Sequence, residues 1–239
     1  YVDTVVPDGD AAWWSEQRPD EGGRTAVLRR APDGALTEIT PPDANVRTRV
    51  HEYGGGAWWA VDGALYYSDF SDSRLRRIQV DASGRPGTPE ALTPEPDQLH
   101  ALRYADGRVT PDGRWLVGVR ERHVDGGEPA NELVAVATDG SGRVVTVAHG
   151  ADFYASPRIA PDGITLAWIQ WNHPNMPWDS TELWVGEFVD GVVTSGRRLV
   201  GNGNEALQQP EWTETGHLLV VTDRTDWWNV YDADLASGE

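Results

Sequence analysis

Apolar residues in this chain come in short strand-like runs that break at glycine. Five times a turn signal separates two such runs: VVPDGDAAWWSE (5–16), WAVDGALYYSDF (59–70), VTPDGRWLVGVRE (109–121), IAPDGITLAWIQW (159–171) and WTETGHLLVVTDR (212–224). Short apolar runs bounded by turn signals predict strands. Asp-Gly between strand-like runs predicts a tight hairpin, because glycine accepts the positive φ that such a turn requires. The turn glycines Gly9, Gly63, Gly113, Gly163 and Gly216 recur at spacings of 54, 50, 50 and 53 residues. A second hairpin follows in the first four units, at TAVLRRAPDGALTEIT (25–40), SRLRRIQVDASGRPGTPEALT (73–93), NELVAVATDGSGRVVTVA (131–148) and TELWVGEFVDGVVTSGRRLV (181–200). The fifth unit starts one, WNVYDADLASGE (228–239). No segment of helical length keeps a helical period.

Four antiparallel strands every ~50 residues is the pattern of a β-propeller blade. A sandwich is the other all-β solution, but it predicts no such period. The expected fold is an all-β propeller of four-stranded antiparallel blades, about five of them, over residues 1–48, 49–98, 99–150, 151–203 and 204–239. The first repeat opens inside its first strand and the fifth stops before its last. The chain therefore reads either as a five-bladed ring closed by its own ends or, the reading preferred here, as part of a larger propeller of about six to eight blades, incomplete at both ends.

The stretch RVHEYGGGAWW (49–59) stands out, because three glycines in a row, Gly54 to Gly56, are costly in regular structure. It is predicted as the first strand of the second repeat, with its glycines where backbones approach closely. In a propeller that strand lines the central channel, so His51, Glu52 and Tyr53 are expected at the channel mouth. The matching position of the fifth repeat, GNGNEALQQPEW (201–212), supplies Asn204 and Glu205. Two glutamates, Glu52 and Glu205, are thus expected to enter one rim from different blades. Two loops are rich in Trp and Asn: QWNHPNMPWDSTELW (170–184) and DRTDWWNVY (223–231). Their tryptophans either pack under a neighbouring blade or stack on a ligand. Asp179-Ser180-Thr181 reads as turn chemistry, and Asp223-Arg224 as an ion pair or turn clamp.

Composition narrows the function. The 239 residues carry 38 acidic and 20 basic side chains, a formal charge of −18, and no cysteine. Nucleic acid is excluded as a partner, because its phosphates would be repelled; a cationic ligand or peptide is compatible. Neither disulfides nor thiolate metal sites are possible. His51, His100, His123, His149, His173 and His217 show no paired metal-ligand spacing, so no metal or cofactor is expected. No run approaches the ~20 apolar residues of a membrane span. Tyr1-Val2-Asp3 opens neither a basic n-region nor an apolar h-region; the expectation is a cytoplasmic protein without membrane contact, with something preceding Tyr1.

Taken together, RVHEYGGGAWW, SDSRLRRI (71–78), WNHPNMPWDSTELWV (171–185), QPEWTETGHLLVVTDRTDWWNVY (209–231) and the recurring PDG turns resemble the propeller domain of the prolyl oligopeptidase family of serine peptidases. The likeness is to its bacterial dipeptidyl-aminopeptidase and acylaminoacyl-peptidase branch, particularly the actinomycete aminopeptidases, a group that includes puromycin-hydrolysing enzymes. It implies that the chain caps a C-terminal α/β-hydrolase domain and admits short peptides or aminoacyl amides with a free amino terminus. The nucleophile of that family sits in a G-x-S-x-G elbow. No such elbow occurs here, so no catalytic residue is assigned. The resemblance implies that propeller carboxylates hold the substrate's α-ammonium, with Glu205 the first candidate and Glu52 the second. Two other readings stay open: a TolB-like propeller that binds a protein partner without chemistry, and a five-bladed glycosidase with Glu52 and Glu205 as paired carboxylates.

Overall fold

The computed structural model describes residues 1–124 and 126–238. Apart from one turn of 3-10 helix at Pro19–Glu21, every regular element is a strand. The strands form five sheets, four of four strands and one of three, each made of strands consecutive in sequence. This is the all-β blade pattern that the repeated turns and strand-like runs predict. By contact the chain divides into two compact units: Tyr1–Gly107 with Asp139–Arg143, and Arg108–Thr138 with the chain from Val144 on.

The first unit holds two complete sheets. One comprises β1 (Val2–Asp8), β2 (Ala11–Arg18), β3 (Arg24–Arg30) and β4 (Leu36–Glu38); the next comprises β5 (Trp58–Val61), β6 (Ala64–Ser68), β7 (Leu75–Gln79) and β8 (Glu90–Ala91). Their facing sides meet in a core of Trp13, Val27, Ile39, Leu65, Tyr67 and Ile78, each no more than 2% exposed. The turns are tied as well: the Asp8 carboxylate accepts the backbone N–H groups of Asp62 and Gly63, both at 2.9 Å, and the indole N–H of Trp13. One Asp-Gly turn thereby satisfies the next.

Strand β9 (Leu102–Val109) runs across the division of the chain. The second unit contains β10 (Trp115–Arg122), β11 (Ala130–Ala137) and β12 (Val144–His149). It also holds the sheet of β13 (Phe153–Ile159), β14 (Thr165–Trp171), β15 (Glu182–Val189) and β16 (Val192–Val200). Its last sheet has three strands, β17 (Leu207–Trp212), β18 (Leu218–Thr222) and β19 (Asn229–Ala233). Ala167, Ile169, Leu183 and Val185 of β14 and β15 pack on Leu207, Leu218 and Val220 of β17 and β18.

A second periodicity accompanies the turns. Asp106, Ser156 and Gln209 all have positive φ, at 56°, 51° and 53°, and each lies seven residues before a turn glycine. In β13 and β17 the pairing register shifts at this point. At Ser156 and Gln209 the shift is a bulge that bends the opening strand of its sheet. The corresponding residue of the second repeat is Gly56.

Here the structure corrects the sequence reading. The stretch HEYGGG is not a strand; β5 begins only at Trp58. His51 and Glu52 have φ of 55° and 67°, and Gly54 of 95°, so the chain turns where extension was expected. Glu52 N–H donates to Arg49 C=O and Gly54 N–H to Val50 C=O, both at 2.9 Å. The expected close approach does occur, but to β9. Gly56 N–H donates to the Asp106 carboxylate at 2.6 Å, and Asp106 N–H returns a bond to Gly56 C=O at 2.7 Å. A Cβ on Gly56 would lie 2.7 Å from that carboxylate oxygen, and one on Gly55 3.1 Å from the Ala105 Cβ. Contact with a strand fifty residues on, rather than strand geometry, accounts for these two glycines.

Candidate functional site

The two candidate glutamates belong to different units, Glu52 to the first and Glu205 to the second. Their surroundings differ in kind.

Glu205 precedes β17 and is 4% exposed. Its Oε2 accepts from Arg224 Nε at 2.9 Å and from the Thr222 hydroxyl at 3.1 Å. Its Oε1 has one longer contact, 3.4 Å to Arg224 Nη2. The pairing is therefore lopsided: one oxygen is well satisfied, the other keeps acceptor capacity. The Arg224 side chain is 31% exposed, and its guanidinium lies 5.3 Å from the centre of the Tyr231 ring. The segment is fixed from two further sides. Ala206 N–H donates to the Asp223 carboxylate at 2.8 Å. Thr181, 1% exposed, donates its backbone N–H to Glu205 C=O and exchanges hydroxyl bonds with the Leu207 backbone. Asp223-Arg224 thus works as a clamp, but on residues 205–206 rather than within itself. Asn204 is exposed beside it, its N–H on the Asn202 side chain at 2.9 Å.

Two loops flank this segment. Asp179 closes the first by accepting from Met176 N–H, the turn chemistry expected there, and Pro177 C=O accepts from Gln208 Nε2. Trp178 on that loop is 59% exposed; Trp227 on the second is 77% and Trp228 48% exposed. Of the two readings for these tryptophans, core packing fails for Trp178 and Trp227.

In the first unit, Glu52 is on the surface, its side chain 77% exposed. Its Oε1 accepts from Arg103 Nη1 at 2.7 Å, and the same nitrogen donates to Arg49 C=O at 3.0 Å. Arg103 is itself largely buried, so one guanidinium both closes the turn and orients the carboxylate. Tyr53 is 70% exposed, and half-buried His51 lies 5.9 Å from it, ring to ring. The left-handed backbone at His51 and Glu52 is what aims these groups. Sequence reasoning picked both glutamates and missed both arginines. Arg224 was visible only as the neighbour of Asp223. Arg103, fifty-one residues from Glu52, left no local signal.

No family model matches the chain, and no curated protein sequence does. Solved structures do. A puromycin hydrolase mutant complexed with PGG is 36% identical over the whole of this chain, with a TM-score of 0.92, and the chain covers 38% of it. A puromycin-hydrolyzing peptidase of Mycobacterium tuberculosis is 37% identical, again over the whole chain and 38% of its own length, with a TM-score of 0.88. Prolyl endopeptidase (TM-score 0.69, 14% identity) and the TolB of Acinetobacter baumannii (0.54, 16%) share the fold alone. The chain spans well under half the length of the puromycin-hydrolysing proteins that it matches. Turn period, blade pattern and whole-chain identity agree: this chain belongs to the β-propeller domain of the prolyl oligopeptidase family.

Proposed function

We propose that this chain is the substrate-gating propeller of an exo-acting serine peptidase, of aminopeptidase or acylaminoacyl-peptidase type. Its partner is a C-terminal α/β-hydrolase domain of the same protein. In this reading the partner domain supplies the nucleophile, the oxyanion hole and deacylation, while the propeller admits short peptides or aminoacyl amides and holds their free amino terminus. The observation that carries it is the 36–37% identity, across every blade, to two puromycin-hydrolysing proteins.

Glu205 is the proposed amine anchor. Arg224 and Thr222 fix its carboxylate before substrate arrives, and Oε1, with one contact of 3.4 Å, keeps acceptor capacity for an ammonium donor. A fixed carboxylate measures the distance from the amino terminus to the scissile bond, which is how such a contact selects exo-cleavage. Asn204, exposed next to it, offers a polar side chain to the first peptide group. Glu52, with His51 and Tyr53, is the alternative anchor; it is accessible and pre-oriented by Arg103. The TolB-like alternative rests on fold likeness and nothing more.

The test uses the complete enzyme. Losing one partner of a desolvated charge pair costs about 2–5 kcal/mol, or about 30- to several-thousand-fold in kcat/KM. Glu205→Gln is expected to lower turnover of free-amine substrates by such a factor and to leave N-blocked substrates much less affected. An equal loss for both removes Glu205 from the role. Glu52→Gln in the same assay decides between the two carboxylates.

A further inference from the structure

The β13–β16 sheet has a second face that the peptidase reading does not use. Alternation sends Ala167, Ile169, Leu183 and Val185 toward the core they share with the last sheet. It sends Trp168, Gln170, Glu182 and Trp184 the other way. Cross-strand register then builds two rows: Tyr154, Gln170 and Glu182 stand opposite one another, and so do Trp168, Trp184 and Arg198. The two indoles stack at 6.0 Å and 25°. Between this face and residues 147–151, at and beyond the end of β12, lies a cleft of about 500 Å³, a volume suited to a small ligand. Gly196 keeps it shaped: an added Cβ there would touch the Trp168 ring at 3.5 Å.

The polar groups of the cleft are unevenly used. Tyr154 is 1% exposed, and its oxygen accepts the Ala151 N–H at 3.0 Å. Its own O–H has no acceptor among the described residues. Gln170 accepts the Trp168 indole N–H at 3.0 Å, and Asn172 the Asp152 N–H at 2.8 Å, each through its carbonyl oxygen. Both NH2 groups are left as donors without an acceptor among the described residues. A buried hydroxyl such as that of Tyr154 is normally paired; with the half-buried Gln170 amide and the exposed Asn172 amide it lines the cleft with donors, which points to a ligand that brings acceptors. The acceptor on this face, Glu182, is committed to the Trp184 indole and to Arg198, at 2.8 and 3.0 Å. Glu182 therefore offers a cation no free carboxylate oxygen. An anion meets Glu182 and a chain of net charge −18. What remains is a neutral ring with several acceptor oxygens and an apolar face for stacking on indole.

We propose that the Trp168–Trp184 cleft binds a neutral sugar ring. Its hydroxyl oxygens accept from Tyr154, Gln170 and Asn172, and its C–H face rests on Trp184. The site is independent of the amine anchor and of the reaction.

The experiment is calorimetric titration, with saturation-transfer NMR, of the complete protein. The probes are glucose, galactose, N-acetylglucosamine, maltose and cellobiose, to about 50 mM. At least one sugar is expected to bind saturably, with saturation transfer to its ring protons. Tyr154→Phe, which keeps the buried ring and removes the idle donor together with the acceptor of the Ala151 N–H, is expected to weaken that sugar about 3- to 10-fold. Trp184→Ala is expected to abolish binding while peptidase activity persists. Absence of saturable binding by every sugar, or unchanged affinity in Tyr154→Phe, overturns the proposal.

Discussion

Gly56→Ala isolates the contact that explains the glycine run. The residue is not in the left-handed region, so alanine carries no backbone strain there, and what it adds is one methyl 2.7 Å from an Asp106 carboxylate oxygen. That oxygen also holds the Gly56 N–H at 2.6 Å. If the Asp106 side chain swings away, a charge-assisted hydrogen bond worth about 1.5–3 kcal/mol is lost. If the two backbones separate instead, overpacking costs about 1–3 kcal/mol. Alanine returns about 0.4–1 kcal/mol by restricting the unfolded chain. The expected net loss is about 1–2.5 kcal/mol, read as a lower urea midpoint at constant slope. The background Asp106→Gly supplies the decisive comparison, because residue 106 sits at φ 56°, which suits glycine. There the Gly56→Ala penalty should disappear or change sign. Gly9→Ala is the control: its φ is +56° and nothing lies within 4 Å, so its penalty should be about 1–2 kcal/mol in either background. A Gly56→Ala penalty that is the same with and without the Asp106 side chain refutes the explanation.

Two other outcomes follow from the site and the turns. Arg224→Ala leaves the Glu205 carboxylate, 4% exposed, without its cation; breaking such a pair costs about 3–5 kcal/mol, and the partial exposure of Arg224 places the loss near the lower end. Arg224→Lys should recover only part of it in urea denaturation, since one ammonium does not reproduce the two-nitrogen contact. The PDG turns predict acid sensitivity. The Thr110 hydroxyl and the Arg114 N–H hold the Asp112 carboxyl below the usual range. At Asp162 burial pushes upward, but the Thr165 and Ile164 N–H groups and the Thr165 hydroxyl outweigh it and the net direction is again down. Groups lowered in the folded state contribute stability that is present above the unfolded value of about pH 4 and is lost as pH falls through the folded value. The difference in urea midpoint between the wild type and Asp162→Asn should accordingly be full at pH 6 and shrink toward zero by about pH 2. A difference that does not change with pH contradicts this account.

The legible part of the fold was whatever local chemistry encodes. Short apolar runs marked β2, β6, β10 and β14, and the Asp-Gly turns marked their hairpins, because an apolar run and a positive φ each leave a residue-level trace. The left-handed positions Asp106, Ser156 and Gln209 left none; aspartate, serine and glutamine in left-handed backbone are not a motif. The HEYGGG segment misled for the same reason. Its glycines are set by Asp106, and nothing within ten residues of Gly56 announces that partner. At the site, the glutamates were found by position in the repeat, whereas Arg103 and Arg224 act across turns and strands that only folding brings together.

The two glutamates also show why position alone could not rank them. An exposed carboxylate such as Glu52 costs little to keep, so its presence carries little information. A carboxylate at 4% exposure is different. A buried ion pair is often matched or exceeded in stability by apolar residues of the same volume. Retaining charge at Glu205 therefore has no advantage for folding that a Met–Leu pair would lack, and the uneven use of its two oxygens leaves the spare capacity on one side. Stability and recognition should then separate in part: Arg224→Ala is felt in the urea midpoint, whereas Glu205→Gln, which also removes one partner of the pair, changes the preference for a free amine beyond its effect on stability. A pair kept only as a clamp would move both readouts together.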